Sequence, residues 1–302
     1  MSSDDSHDAS QSKDLVGQGL DSQVPAERSD EVAFYDERWA EFRFARRLKL
    51  IRCSAILDAL STLGFTEPRM LELGCGTGWL TSILGAFGPA TGVDFSERAI
   101  NMASKRYPNA RFVCADIQIW KPEHNFDLVV SHEVVEHLED QAQHIRKIVG
   151  ALGDEGRLIL TTPNRTTLES MPFGQRSTWS QQPLEKWLTR KELRSLLAEN
   201  GMEVLSMGTV IPGFGGSPLR RIAGSRWIRK ALELIGLRST FEYLCCRLGL
   251  GLHTICVART ATPISRSSDR LRLRSTSPRS DASSSARTMK MTNPGVLQGL
   301  GR

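Results

Sequence analysis

From residue 69 onward, five short and largely apolar runs, at 69–73, 90–94, 110–114, 126–131 and 156–162, alternate with stretches of helical spacing near 77–87, 96–106, 136–152 and 189–200. Nothing else in the chain restricts its fold as strongly. Apolar runs of this length without polar alternation suit strands whose two faces are both covered by helices. Strands separated by helices pair in parallel, and the resulting doubly wound sheet binds ligands at the carboxyl ends of its strands. Glu203–Val210 and Leu252–Ala258 bring the expected strands to seven.

The first run continues as Leu71-Glu72-Leu73-Gly74-Cys75-Gly76-Thr77-Gly78, and the carboxylate Asp94 closes the second. Glycines at this spacing permit a tight turn and close approach of the backbone to a ligand. An acid roughly 20 residues further on is placed for the two hydroxyls of a ribose. A phosphate loop would end Gly-Lys-Ser/Thr, whereas this one ends Gly78-Trp79-Leu80. A dinucleotide loop would carry its third glycine where Trp79 stands. The loop has no basic residue, so only amides and a helix dipole would face a pyrophosphate.

The remaining pattern, E/D-x-G-x-G-x-G, closely resembles the first motif of the class I S-adenosylmethionine methyltransferases. Val93-Asp94-Phe95-Ser96, Phe112-Val113-Cys114-Ala115-Asp116-Ile117, Phe126-Asp127-Leu128-Val129-Val130-Ser131 and Gly156-Arg157-Leu158-Ile159-Leu160-Thr161 resemble that family's later motifs, in order. The resemblance covers residues 69–164. It implies an α/β fold with a doubly wound, seven-stranded, mostly parallel Rossmann-like sheet whose last strand is antiparallel, and S-adenosylmethionine as cofactor. By the same likeness, the cofactor site comprises Glu72, Gly74, Cys75, Gly76, Gly78, Asp94, Phe95, Asp116, Ile117 and Ser131. Asp94 would hold the ribose, Asp116 the adenine amino group with Ile117 against the ring, and Glu72 would lie near the methionine moiety. In such proteins a helical segment like 31–60 lids the cofactor. Arg43, Arg46, Arg47 and Arg52 are its candidates for the methionine carboxylate, unless they form a solvated face.

Methyl transfer from a sulfonium requires alignment of the acceptor and, for a hydroxyl, removal of its proton. Candidate groups follow the fourth strand in Ser131-His132-Glu133-Val134-Val135-Glu136-His137-Leu138, where His132, Glu133 and His137 are the catalytic candidates. The zinc-protease patterns H-E-x-x-H and H-x-x-E-H both fail on spacing. On a helical turn, Glu133, Glu136 and His137 would share one face and could hold a divalent cation. This E-x-x-E-H pattern is similar to that of the ubiquinone-biosynthesis O-methyltransferases, which act on polyprenyl catechols. It is also similar to that of the small-RNA 3′-terminal 2′-O-methyltransferases. Both likenesses imply magnesium beside the acceptor hydroxyl. The alternative is a metal-free helix start in which Glu136 and His137 cap and pack. The further histidine of the RNA enzymes is missing from 182–190, which disfavours nucleic acid as a partner. The expected activity is therefore O-methylation of a small-molecule or lipid-like acceptor of the quinone-precursor type. RNA 2′-O-methylation and a non-catalytic adaptor stand as alternatives.

The methyltransferase domain is expected over 31–260, with a helical cap inserted at about 211–250. There Ile222, Trp227, Ile228 and Leu232 are interleaved with Arg221, Arg226, Arg229 and Lys230, a pattern for a helix that simply packs on the domain, or else for an apolar-substrate cap or peripheral membrane contact through 218–238. The acidic, serine-rich 1–30 and the Ser/Arg-rich 261–302 lack the apolar content to order themselves. No run approaches the roughly 18 apolar residues of a membrane span, and the first 30 residues lack a signal-peptide core. The six cysteines lie mostly in apolar runs without metal spacing, as reduced thiols would. A cytoplasmic protein, with membrane contact at its periphery, is expected.

Overall fold

A computed structural model describes residues 30, 33–35, 37, 47–171, 183–212, 221–222 and 225–261. The expected tails, 172–182 of the segment after the fifth strand, and most of 213–224 lie outside the described residues, as do Arg43 and Arg46. The described elements run α1 (Arg47–Ser61), β1 (Met70–Leu73), α2 (Trp79–Leu84), β2 (Ala90–Asp94), α3 (Glu97–Arg106), β3 (Arg111–Cys114) and β4 (Phe126–His132). They continue through α4 (Gln141–Ala151), β5 (Leu152–Pro163), α5 (Arg165–Leu168), α6 (Arg190–Glu199), β6 (Met202–Pro212), α7 (Arg226–Leu234), α8 (Arg238–Arg247) and β7 (Gly251–Thr260).

The strands form one seven-stranded sheet in the order β3-β2-β1-β4-β5-β7-β6. All neighbours are parallel except β7, which runs antiparallel to both β5 and β6. The order reverses between β1 and β4, and in doubly wound sheets a ligand sits at that switch point. Both faces of each central strand are buried, which is why their sequences do not alternate. Leu71, Leu73, Val129, Leu158 and Leu160 pack on one side with Ile145 and Leu193. Met70, Leu128, Val130 and Ile159 pack on the other with Ile56 and Leu60 of α1 and Leu80 and Leu84 of α2.

One expected helix is divided. Residues 135–137 form a single 3-10 turn, Leu138 is extended (φ −108°, ψ 138°), and α4 begins only at Gln141. Asp140 fixes that start by accepting the Gln143 N–H at 2.7 Å. The insertion contains α7 and α8. Of these helices only Cys245, on α8, is buried, and Thr209 ties α8 to β6 by donating to the Cys246 carbonyl at 2.7 Å. The chain then re-enters the sheet beside Asn164. The Asn164 amide lies 3.0 Å from Thr167 Oγ1, 3.3 Å from the Gly249 carbonyl and 3.0 Å from the Gly251 carbonyl. None of the six cysteines is in a disulfide, and five are buried. Among the described residues no helix is long and apolar enough to cross a membrane.

Candidate functional site

The glycine loop leaves β1 pinned to β2, because Gly74 and Cys75 both donate to the Val93 carbonyl, at 2.8 and 3.0 Å. Asp94, at the end of β2, grips the loop in turn. Its Oδ2 accepts from Gly76 N–H at 2.8 Å and its Oδ1 from Ser96 N–H at 3.0 Å. Gly74 and Gly78 adopt φ of 71° and 74°, where other residues are strained. A Cβ on Gly74 would come within 2.5 Å of Val134 Cγ2, and one on Gly78 within 2.5 Å of Phe112 Cε1. These two glycines thus serve protein packing, a role their spacing alone did not reveal. Thr77 Oγ1 is buried in the same loop with no partner among the described residues, as fits a hydroxyl awaiting a ligand's polar group.

The other expected cofactor residues line the neighbouring strand ends. Asp116 and Ile117, just past β3, are buried, and Asp116 Oδ1 accepts from Gln118 N–H at 2.9 Å. Phe95 stands edge-on to Tyr35 with ring centroids 5.2 Å apart, so the segment before α1 reaches the Asp94 edge. Tyr35 falls within the 31–60 segment and was not singled out from sequence. Ser131 is the register partner of Leu73, and its hydroxyl lies 3.0 Å from His144 Nε2.

Glu72 points into the fold, accepting the Thr81 hydroxyl on α2. Burial pushes its carboxyl up to about 8, against the opposing pull of Thr81 and Lys49. The folded protein therefore keeps a proton that the unfolded chain releases from its ordinary value of 4.5 upward. Stability should fall as pH rises through that window. Glu72→Gln is expected to match wild type in melting temperature at pH 5 and to exceed it by several degrees at pH 8. Identical calorimetric pH profiles for the two proteins would contradict this.

Past the end of β4, Glu133 adopts the left-handed region, with φ of 58°. This conformation lets its N–H reach the Thr161 carbonyl at 3.0 Å, extending the β4–β5 pairing by one residue. Its Oε1 accepts from Thr161 Oγ1 at 3.0 Å, while Oε2 lies 2.8 Å from His253 Nδ1 and 3.8 Å from Arg52 Nε. Burial alone would raise this carboxyl, but His253 and Arg52 outweigh it and hold the group below the usual carboxylate range. His132 Nδ1 is 2.7 Å from the same Thr161 hydroxyl. Burial lowers the His132 imidazole to about 3, with Arg52, Lys49 and His253 assisting and Glu133 opposing.

Glu136 and His137 are engaged separately. Glu136 accepts from Thr162 Oγ1 at 3.0 Å, and burial raises its carboxyl well above the usual range. His137 Nδ1 lies 2.9 Å from the Leu184 carbonyl, with Nε2 3.7 Å from Glu136. The shared helical face expected for Glu133, Glu136 and His137 does not form, since Glu133 precedes the 3-10 turn in a left-handed conformation. Among the described residues no group of three or more His, Cys, Asp or Glu side chains is placed to hold a metal ion. The arrangement gives no support to the magnesium expected from the E-x-x-E-H spacing. Arg52, expected near a methionine carboxylate if it bound any ligand, faces Glu133 and His253, its Nη1 3.3 Å from His253 Nε2. Neither His253 nor Thr161 was singled out from sequence.

A glycine loop gripped by an acid at the switch point of a doubly wound sheet defines a Rossmann-like nucleoside-cofactor fold. The chain belongs to the methyltransferase domain family, whose match covers residues 40–207. It is 30% identical over 182 residues to a probable S-adenosylmethionine-dependent methyltransferase of Mycobacterium tuberculosis, an alignment covering 54% of this chain and 64% of that protein. It is 36% identical over 119 residues to a malonyl-[acyl-carrier protein] O-methyltransferase of a Paenibacillus species, covering 36% of this chain and 43% of that one. The chain thus spans less than two thirds of the length of these curated relatives. The N-methyltransferase NodS of Bradyrhizobium japonicum, solved with S-adenosyl-L-homocysteine, shares the fold at a TM-score of 0.52 and 18% identity, over 77% of this chain and all of that one.

Proposed function

We propose that this chain is an S-adenosylmethionine-dependent methyltransferase that O-methylates a small-molecule or lipid-like acceptor, of the quinone-precursor type, by in-line transfer. The observation that carries this is the grip of Asp94 on the loop. Its Oδ2 accepts from Gly76 N–H and its Oδ1 from Ser96 N–H at the carboxyl end of β2, which fixes a buried carboxylate at the switch point where a ribose diol would meet it. Bound S-adenosylmethionine supplies a methyl group already activated on a sulfonium. Asp116 and Ile117 are placed for the adenine, and Thr77 with the loop amides for polar groups nearer the methionine end. Val134, packed on Gly74, holds the segment after β4 against the loop, so that His132 and Glu133 keep a fixed distance from the cofactor. The relatives named as O-methyltransferases support oxygen as the accepting atom.

The test is calorimetry with S-adenosylhomocysteine, followed by a labelled-methyl screen across quinone precursors, carboxylic acids, lipids, sugars and RNA. Absence of binding would sink the proposal, and labelling of RNA alone would replace the acceptor class.

The insertion supports an acceptor met at a membrane surface. Trp227 is 71% and Leu234 83% exposed, on a helix that also carries Arg226 and Lys230. Apolar side chains flanked by basic ones suit an anionic bilayer. The pair Trp227→Glu and Leu234→Glu should weaken cosedimentation with anionic phospholipid vesicles at least ~10-fold, from the loss of two insertable side chains. Wild-type protein that stays in the supernatant would remove membrane contact from the proposal.

A further inference from the structure

The acceptor side holds more than a candidate base, because its hydrogen bonds run in one direction. Thr161 has a single hydroxyl hydrogen and two neighbours, Glu133 Oε1 at 3.0 Å and His132 Nδ1 at 2.7 Å. Donation to the anionic carboxylate is the stronger of the two bonds. The Thr161 oxygen must then accept from His132, which places the ring hydrogen on Nδ1. The lone pair consequently sits on Nε2, which no described residue engages. His132 is partly exposed at the carboxyl end of β4, one residue past the register partner of Leu73, and therefore beside the start of the glycine loop.

We propose that His132 Nε2 is the proton acceptor for the methylated oxygen, and that Thr161, Glu133, His253 and Arg52 are positioning residues that fix its tautomer. This rests on the methyltransferase reading above. In the step itself, the acceptor oxygen forms its bond to the methyl carbon as the carbon–sulfur bond breaks, with that electron pair left on sulfur. The acceptor proton passes to Nε2, and the resulting positive ring is stabilised through Thr161 by Glu133. A weak base suffices, because a hydroxyl becomes strongly acidic once its oxygen is bonded to the methyl. The requirement is a neutral ring with its lone pair facing outward. Burial keeps the ring neutral against the pull of Glu133 beside it, with Arg52 and Lys49 from α1 and His253 from β7 assisting, while Thr161 from β5 fixes its tautomer. Arg52 and His253 also clamp Glu133 Oε2, so that only Oε1 is presented to Thr161.

Nitrogen-15 NMR of histidine-labelled protein reads the tautomer directly, without an acceptor. His132 should remain a neutral Nδ1–H ring from pH 8 down to 5. Thr161→Val should shift it towards the Nε2–H form, and Thr161→Ser should restore the wild-type spectrum. With the acceptor returned by the labelled-methyl screen, His132→Gln is expected to lower kcat about 100-fold and Thr161→Val about 10-fold, with Thr161→Ser close to wild type. Affinity for S-adenosylhomocysteine should stay within threefold in all three variants. An Nε2–H ring in the wild type, or full turnover by Thr161→Val, would overturn the relay while cofactor binding remains. Failure of the wild type to bind S-adenosylhomocysteine would instead bring down the methyltransferase reading, and the relay with it.

Discussion

Replacing Asp94 by alanine is expected to weaken S-adenosylhomocysteine binding by about 100- to 1000-fold in calorimetry, from the loss of charge-assisted hydrogen bonds worth roughly 3–4 kcal/mol in sum. The size of the effect follows from the double duty of the side chain. Its oxygens hold the N–H groups of Gly76 and Ser96, and by our proposal the same oxygens receive the ribose. Truncation thus removes ligand contacts and also releases the loop that shapes the rest of the cradle. Asp94→Asn keeps one acceptor oxygen and should lose only about 10-fold, one such bond. Circular dichroism should show both variants folded. Affinity within threefold of wild type in Asp94→Ala would remove the ribose assignment.

The largest effect on stability is expected at Asn164. Its amide nitrogen lies against three acceptors, Thr167 Oγ1 and the carbonyls of Gly249 and Gly251. Asn164 is itself buried, so alanine would leave those acceptors without a donor in a place water does not readily reach. The amide has two hydrogens to share among the three acceptors, so at about 1 kcal/mol per lost bond the total is roughly 2 kcal/mol. For a domain of this size the melting temperature should drop by about 4–8 °C. Affinity for S-adenosylhomocysteine should hardly change, since the residue follows β5 and pairs with β7, and β4 separates β5 from β1 and its glycine loop. A melting temperature within a degree of wild type would contradict the staple.

The sheet was legible because its strands are buried on both faces, which writes them as uninterrupted apolar runs. Alternation with helices then left few ways to connect them. Asp94 and Asp116 stood out for a related reason, as acids at the ends of such runs, and both are buried there and accept backbone N–H groups. The acceptor side was not legible in the same way. Arg52 and His253 meet although 201 positions separate them, and no local pattern announces a pairing made only by the closing of the sheet. Nothing in the residue type foretells the left-handed backbone of Glu133, since glutamate rarely adopts it. That one torsion undid the helical face on which a metal site had been inferred. The helix itself broke because Leu138 is extended and Asp140 caps a later start. At Gly74 and Gly78 the sequence did not show the packing role, in which Val134 and Phe112 occupy the space that a Cβ would take.

The antiparallel β7 bears on how the molecule is made. It lies between β5 and β6 although it follows both in the chain, so β6 has no place in the sheet until residues 251–260 are available. On a ribosome, the half built from β1 to β5 can pair as it emerges, while the acceptor wall waits. His253 and the Gly251 carbonyl that anchors Asn164 both belong to this last strand. A nascent chain could therefore assemble the glycine cradle well before it could complete the cluster of Glu133, Arg52 and His253. By our proposal, cofactor capture and chemical competence would then be acquired in that order during synthesis.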